Sequence, residues 1–164
     1  MPRTADIFAA AFITLATITL AHGDTLASGR AAYVRGDYVR AARLLFPLAA
    51  RGNARAQMLL GFMYANGQGV PQAYDAATYW YHLAAEQGDT TAQYLLGLMF
   101  DKGHGVPVDE VIAFKWLNLA AAGARRRDHE RYARLRDAVA SKMSRGQIAE
   151  GQWLSLQWVA RPRY

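Results

Sequence analysis

Few side chains in this sequence are spaced to do chemistry. His82 and Glu86 stand at i and i+4, which would bring two ligands to one helix face, but a metal needs further partners and this pair stands alone. Asp109 and Glu110 are adjacent carboxylates that could be considered for acid/base work. They fall where a helix opens, and there acidic groups are explained by the positive end of the helix dipole. Gly67-x-Gly69 and Gly103-x-Gly105 look like fragments of phosphate loops, yet they have no strand before them and no Lys-Ser/Thr after them, and each closes a helix. No serine sits in a nucleophile elbow. The chain has no cysteine, which excludes disulfides, thiolate metal sites and cysteine nucleophiles. These residues predict a protein with no catalytic centre, no metal and no cofactor.

The elements that carry them are two copies of one unit. Residues 52–87 align without a gap on residues 88–123 at a spacing of 36, with 16 identities. Self-similarity at this period predicts stacked supersecondary units. Within each copy an apolar run (56–64, 92–100) holds a mid-helix glycine, Gly61 or Gly97. A glycine there costs about 1 kcal/mol relative to alanine, so its recurrence predicts a second helix crossing closely. Gly-x-Gly-Val-Pro then ends the helix. In the helices that follow, Ala77, Trp80 and Ala84 share one face, as do Ala113, Trp116 and Ala120, so both tryptophans are predicted core residues. Asp109 is placed to cap its helix; its counterpart Ala73 cannot.

Around this pair lie three further segments. Residues 1–21 have Arg3, then an uncharged apolar run from Ile7 to Leu20, too short to span a bilayer, and small residues near Ala21. They predict a cleavable signal peptide and hence export, to the periplasm in a bacterium. Residues 22–51 read as a partial repeat, two helical runs about Gly36-Asp37. Residues 124–164 read as a basic capping helix pair. Arg127, Arg131 and Arg134 line one face of its first helix, Tyr132, Leu135 and Val139 another, and Ser144 to Gln147 form a capping box. The stripe Ala149, Trp153 and Leu156 is predicted to be buried in the last helix. The net charge of +6 is concentrated here: Met1 to Ala122 has nine Lys/Arg against nine Asp/Glu, Gly123 to Tyr164 ten against four.

The pattern Ala56, Leu60-Gly61, Tyr64, Gly67-x-Gly69-Val70-Pro71, Ala77, Trp80, Ala84-Ala85 and Gly88, repeated from Ala92, resembles the Sel-one-like repeat, a relative of the tetratricopeptide repeat. Phe100 and Ala73 depart from the usual Tyr and Asp. The resemblance implies an all-α fold, a right-handed α/α solenoid of about four antiparallel helix pairs, and a groove lined by the first helix of each pair. Groove positions carried over residue by residue from Gly61 and Gly97 are Arg55, Met58, Phe62 and Asn66, then Thr91, Tyr94, Leu98 and Lys102. The partial first unit adds Arg30 and Tyr33.

Such a groove implies a non-enzymatic scaffold that binds a partner protein or peptide, in envelope or exopolysaccharide assembly or in signalling. Export leaves no ready supply of nucleic acid, so the basic end is expected to meet protein, glycan or lipid. Two other readings stand beside this one. Cysteine-rich exported relatives are linked to β-lactam binding or hydrolysis, although this chain has neither their cysteines nor a Ser-x-x-Lys arrangement. Arg127, Arg131 and Arg134 could instead form an acidic-partner patch that contacts peptidoglycan or anionic lipid.

Overall fold

The computed structural model describes residues 26–160, so the predicted signal peptide lies outside the described residues. These residues fold as an all-α solenoid with no strand among them. Helix α1 covers 26–34, followed by α2 (Tyr38–Ala50), α3 (Ala54–Asn66), α4 (Tyr74–Glu86), α5 (Thr90–Lys102), α6 (Glu110–Gly123), α7 (Arg126–Ala140) and α8 (Arg145–Ala160).

Short-range chemistry sets the helix ends. Asn53, Asp89 and Asp109 accept from the backbone N–H three residues on, each at 2.9 Å. Ala73 makes no such bond at the start of α4. At the other ends of α3 and α5, Gly67 and Gly103 adopt φ of 65° and 69°, and their N–H groups return to the Met63 and Met99 carbonyls.

The crossings explain the mid-helix glycines. A Cβ on Gly61 would sit 2.6 Å from the Tyr81 ring, and one on Gly97 would sit 2.7 Å from Leu117 Cγ. Leu45, Tyr81 and Leu117 recur at the repeat spacing and fill the same hole, the first of them against Gly29. Successive repeats are locked by Gly69 and Gly105, where a side chain would strike the Tyr38 and Tyr74 carbonyls. A second brace recurs with the same period. Gln57 Nε2 donates to Ala49 O at 3.0 Å, Gln93 Nε2 to Ala85 O at 3.2 Å, and His129 Nδ1 faces Ala121 O at 2.9 Å. The 36-residue register thus runs on into α7, where Tyr132 takes the buried place of Leu60 and Leu96. Trp80 and Trp116 are core residues, 8% and 2% exposed.

The last helix departs from expectation. Ser144 and Gln147 do form the capping box, with Ser144 N–H donating to Gln147 Oε1 at 2.8 Å and Gln147 N–H to Ser144 Oγ at 3.3 Å. The stripe predicted to be buried is turned outward, however, with Trp153 55% and Leu156 70% exposed and Ala149 also exposed. Helix α8 buries Gly151, Ser155 and Trp158 instead. The cause is its seat on α6. Gly151 admits the Phe114 ring and approaches the Val111 carbonyl, Ser155 Oγ donates to Gly151 O at 2.8 Å and lies 3.3 Å from Lys115 O, and Trp158 Nε1 donates to Glu86 Oε2 at 2.9 Å. The small residues Gly151 and Ser155 allow that approach; the Trp153 face has none at the contact.

Candidate interaction surface

Helices α1, α3, α5 and α7 share one side of the solenoid and carry the predicted groove residues. On α1, Arg30 is exposed, while Tyr33 is half-buried and donates its hydroxyl to Gln68 Oε1 at 2.9 Å. Burial pushes the Tyr33 phenol up, and the neighbouring Tyr38 adds to the shift, so it remains a neutral donor. Its ring meets Phe62 edge-on, centroids 6.3 Å apart, which joins α1 to α3. Met58 and Phe62 are half-buried on α3 and pack at the margin of the core built on Ala77 and Tyr81. Arg55 and Asn66 are exposed at its ends, Asn66 Nδ2 donating to Phe62 O at 2.7 Å.

On α5, Thr91, Tyr94 and Leu98 are half-buried, and Lys102 is exposed beside Asp101 at 2.9 Å. Tyr94 is committed to an intramolecular contact. Its ring stacks on Tyr132 with centroids 4.4 Å apart and planes 20° apart, and the Arg131 guanidinium lies 5.1 Å from both centroids. Arg131 also pairs with Asp128 at 3.1 Å. The groove row and the arginine stripe therefore meet at this stack. Arg127 and Arg134 lie 36 residues on from Thr91 and Leu98, which makes them the groove register of α7. Sequence reasoning kept the two sites apart because α7 changes its anchor residues. Leu becomes Tyr132, Gln becomes His129 and Gly becomes Ala133; the spacing was the signal that linked them.

One buried charge lies beneath this side. Asp101, whose side chain is 2% exposed, accepts from Lys142 in the α7–α8 turn and from Lys102. Burial alone would push its carboxyl up, but the two lysines outweigh that and hold it below 3.8.

The groups with apparent chemical spacing have structural duties. Asp109 caps α6, and Glu86 holds the Trp158 indole while standing 3.9 Å from His82. Among the described residues no group of three or more His, Asp or Glu could hold a metal, and no helix is long and apolar enough to cross a membrane.

The comparisons agree with this geometry. The model of the Sel1 repeat matches residues 54–89 and 90–124. A Sel1 repeat protein from Oxalobacter formigenes is similar at 36% identity and a TM-score of 0.59, over 68% of this chain and 87% of that one. The chain belongs to the Sel1 repeat family. A protective antigen of uropathogenic Escherichia coli displaying an SLR fold is also similar, with 27% identity and a TM-score of 0.77 over 84% of this chain. This chain spans only 30% of that antigen's length. No curated protein matches. Sel1 repeats generally mediate protein–protein interactions, and their solenoids are typically non-enzymatic scaffolds.

Proposed function

We propose that this Sel1 repeat protein is an exported scaffold that holds a partner protein or peptide on the side formed by α1, α3, α5 and α7. The observation that carries the reading is the continuity of that side: Tyr33 on Phe62 joins α1 to α3, Tyr94 beneath Arg131 joins α5 to α7, and Met58 and Phe62 of α3 pack with Leu95 of α5 against one core cluster between them. Half-buried Met58, Phe62 and Leu98 offer apolar area in the middle of it, with Arg55 and Lys102 at its edges. A site of that composition suits anchoring by a few large side chains of a ligand within a polar rim. The apolar run at 7–20 supports export, and an envelope setting follows from it.

Photo-crosslinkers placed at Phe62 and at Leu98 in cells are expected to capture the same protein, while one at Tyr79, 58% exposed on α4, captures none. Capture from Tyr79 alone, or from no position, would overturn the groove assignment. Export is checked separately by N-terminal sequencing, where an intact Met1 on the mature protein removes the compartment reading.

A further inference from the structure

Resting on the groove reading, we infer that the ligand is a polarised peptide segment, apolar at one end and acidic at the other, whose carboxylates lie over α7. The row changes character along the solenoid. At one register it reads Met58, Tyr94, Glu130; at the next Phe62, Leu98, Arg134; at a third Arg55, Thr91, Arg127. The central positions are thus apolar on α3 and α5 and ionic on α7. Tyr33 extends the apolar end onto α1.

Most carboxylates of α7 are already engaged. Asp128 pairs with Arg131 and Asp137 with Arg136, whereas Arg127 and Arg134 take no hydrogen bond or ion pair among the described residues. Glu130 stands between them and reduces the field without cancelling it. Arg131 is the anchor. Two tyrosine rings and Asp128 hold its guanidinium in place, yet its side chain remains 55% exposed, so it can take a carboxylate with little further ordering. The start of α7 also forgoes stability for charge. Asn53 and Asp89 cap α3 and α5, but the corresponding place on α7 is Arg125, which makes no cap, followed by Arg126 and Arg127 at the positive end of the helix dipole. The nine-to-nine charge balance before Gly123 and the ten-to-four balance after it follow the same division. An acidic peptide fits better than a lipid surface, because the apolar positions are half-buried and spread over three stacked helices rather than gathered on one insertable face. Four helices at interaxial spacings of about 10 Å span about nine extended residues.

The test is selection of a displayed random library of about 12 residues on the immobilised mature chain, repeated on the R127S/R134S double variant. Both positions are exposed, so the fold should persist, and circular dichroism confirms it. Selected sequences are expected to place apolar residues at one end and Asp/Glu at the other. A selected peptide should bind the double variant about tenfold more weakly, and the preference should shrink as salt rises. An acidic bias that is absent, or that is undiminished in R127S/R134S, where Arg131 alone of the three arginines remains, overturns the inference, as does a failure to enrich any sequence. Binding to anionic vesicles that the selected peptides do not displace would overturn it in favour of a membrane. The Phe62 and Leu98 crosslinks read the groove itself, so a ligand captured there without acidic selectivity sinks this inference and leaves the groove standing.

Discussion

Replacing Gly97 with alanine sets two opposing effects against each other, and the structure says which wins. Alanine in a helix interior gains about 1 kcal/mol over glycine. Against that, the new Cβ would lie 2.7 Å from Leu117 Cγ and 3.2 Å from the Ala113 carbonyl oxygen. Leu117 is fully buried and Ala113 O is backbone of α6, so neither can step aside without moving a helix. Overpacking of this kind costs about 1–3 kcal/mol, so Gly97→Ala is expected to destabilise by about 1 kcal/mol net. Leu117→Ala alone should cost about 2–5 kcal/mol. The double variant should lose less than the sum of the singles by about 1 kcal/mol, because the shorter residue admits the new methyl. Urea denaturation of all four proteins, compared at constant slope, gives the cycle. Ala133 supplies an internal contrast: it holds the same register on α7, where α8 does not make the repeat crossing, so Ala133→Gly should lose about 1 kcal/mol from propensity. A Gly97→Ala protein that is more stable than wild type, or a cycle with no coupling, would refute the close-crossing argument.

Three further outcomes are expected. Ala73 has φ −153° and ψ 107°, nearly those of Asp109 at −146° and 102°, so Ala73→Asp should bond the N–H of Ala76 and stabilise by about 1 kcal/mol; Asp109→Ala should lose a similar amount by the same urea assay. Asp101 has a folded-state pKa below its unfolded value, so its contribution is present above about pH 3.8 and disappears as pH falls through the folded value. Wild type should therefore exceed Asp101→Asn in stability at pH 7, with the gap narrowing below pH 3.8; a gap that does not depend on pH refutes the ion-pair account. Trp153→Gln and Leu156→Gln should each change stability by less than about 0.5 kcal/mol, whereas Gly151→Ala should cost about 1–3 kcal/mol against the Phe114 ring. The reverse order would restore the burial pattern expected from sequence.

Much of the scaffold was legible in the sequence. The spacing of 36 placed the mid-helix glycines, both core tryptophans and the Asp109 cap, because each depends on residues a few positions apart or on an interaction that repeats. Tyr94 shows where that reading stops. Its type suited a ligand contact, but whether its face is free depends on Tyr132 and Arg131, which belong to a helix whose anchors no longer resemble those of the repeats.

Helix α8 marks the same boundary. By itself the sequence determined that a helix opens after Ser144, since the Ser144–Gln147 box and an apolar run free of proline are local facts. It could not determine which face is buried, because apolar side chains occur nearly all round: Ile148, Trp153, Leu154, Leu156, Trp158 and Val159. Only the tertiary structure decided that. The surface of α6 around Phe114 accepts the backbone at Gly151 and Ser155, and the distant Glu86 receives the Trp158 indole. Periodicity can nominate a face, but shape complementarity with a helix about forty residues away selects it.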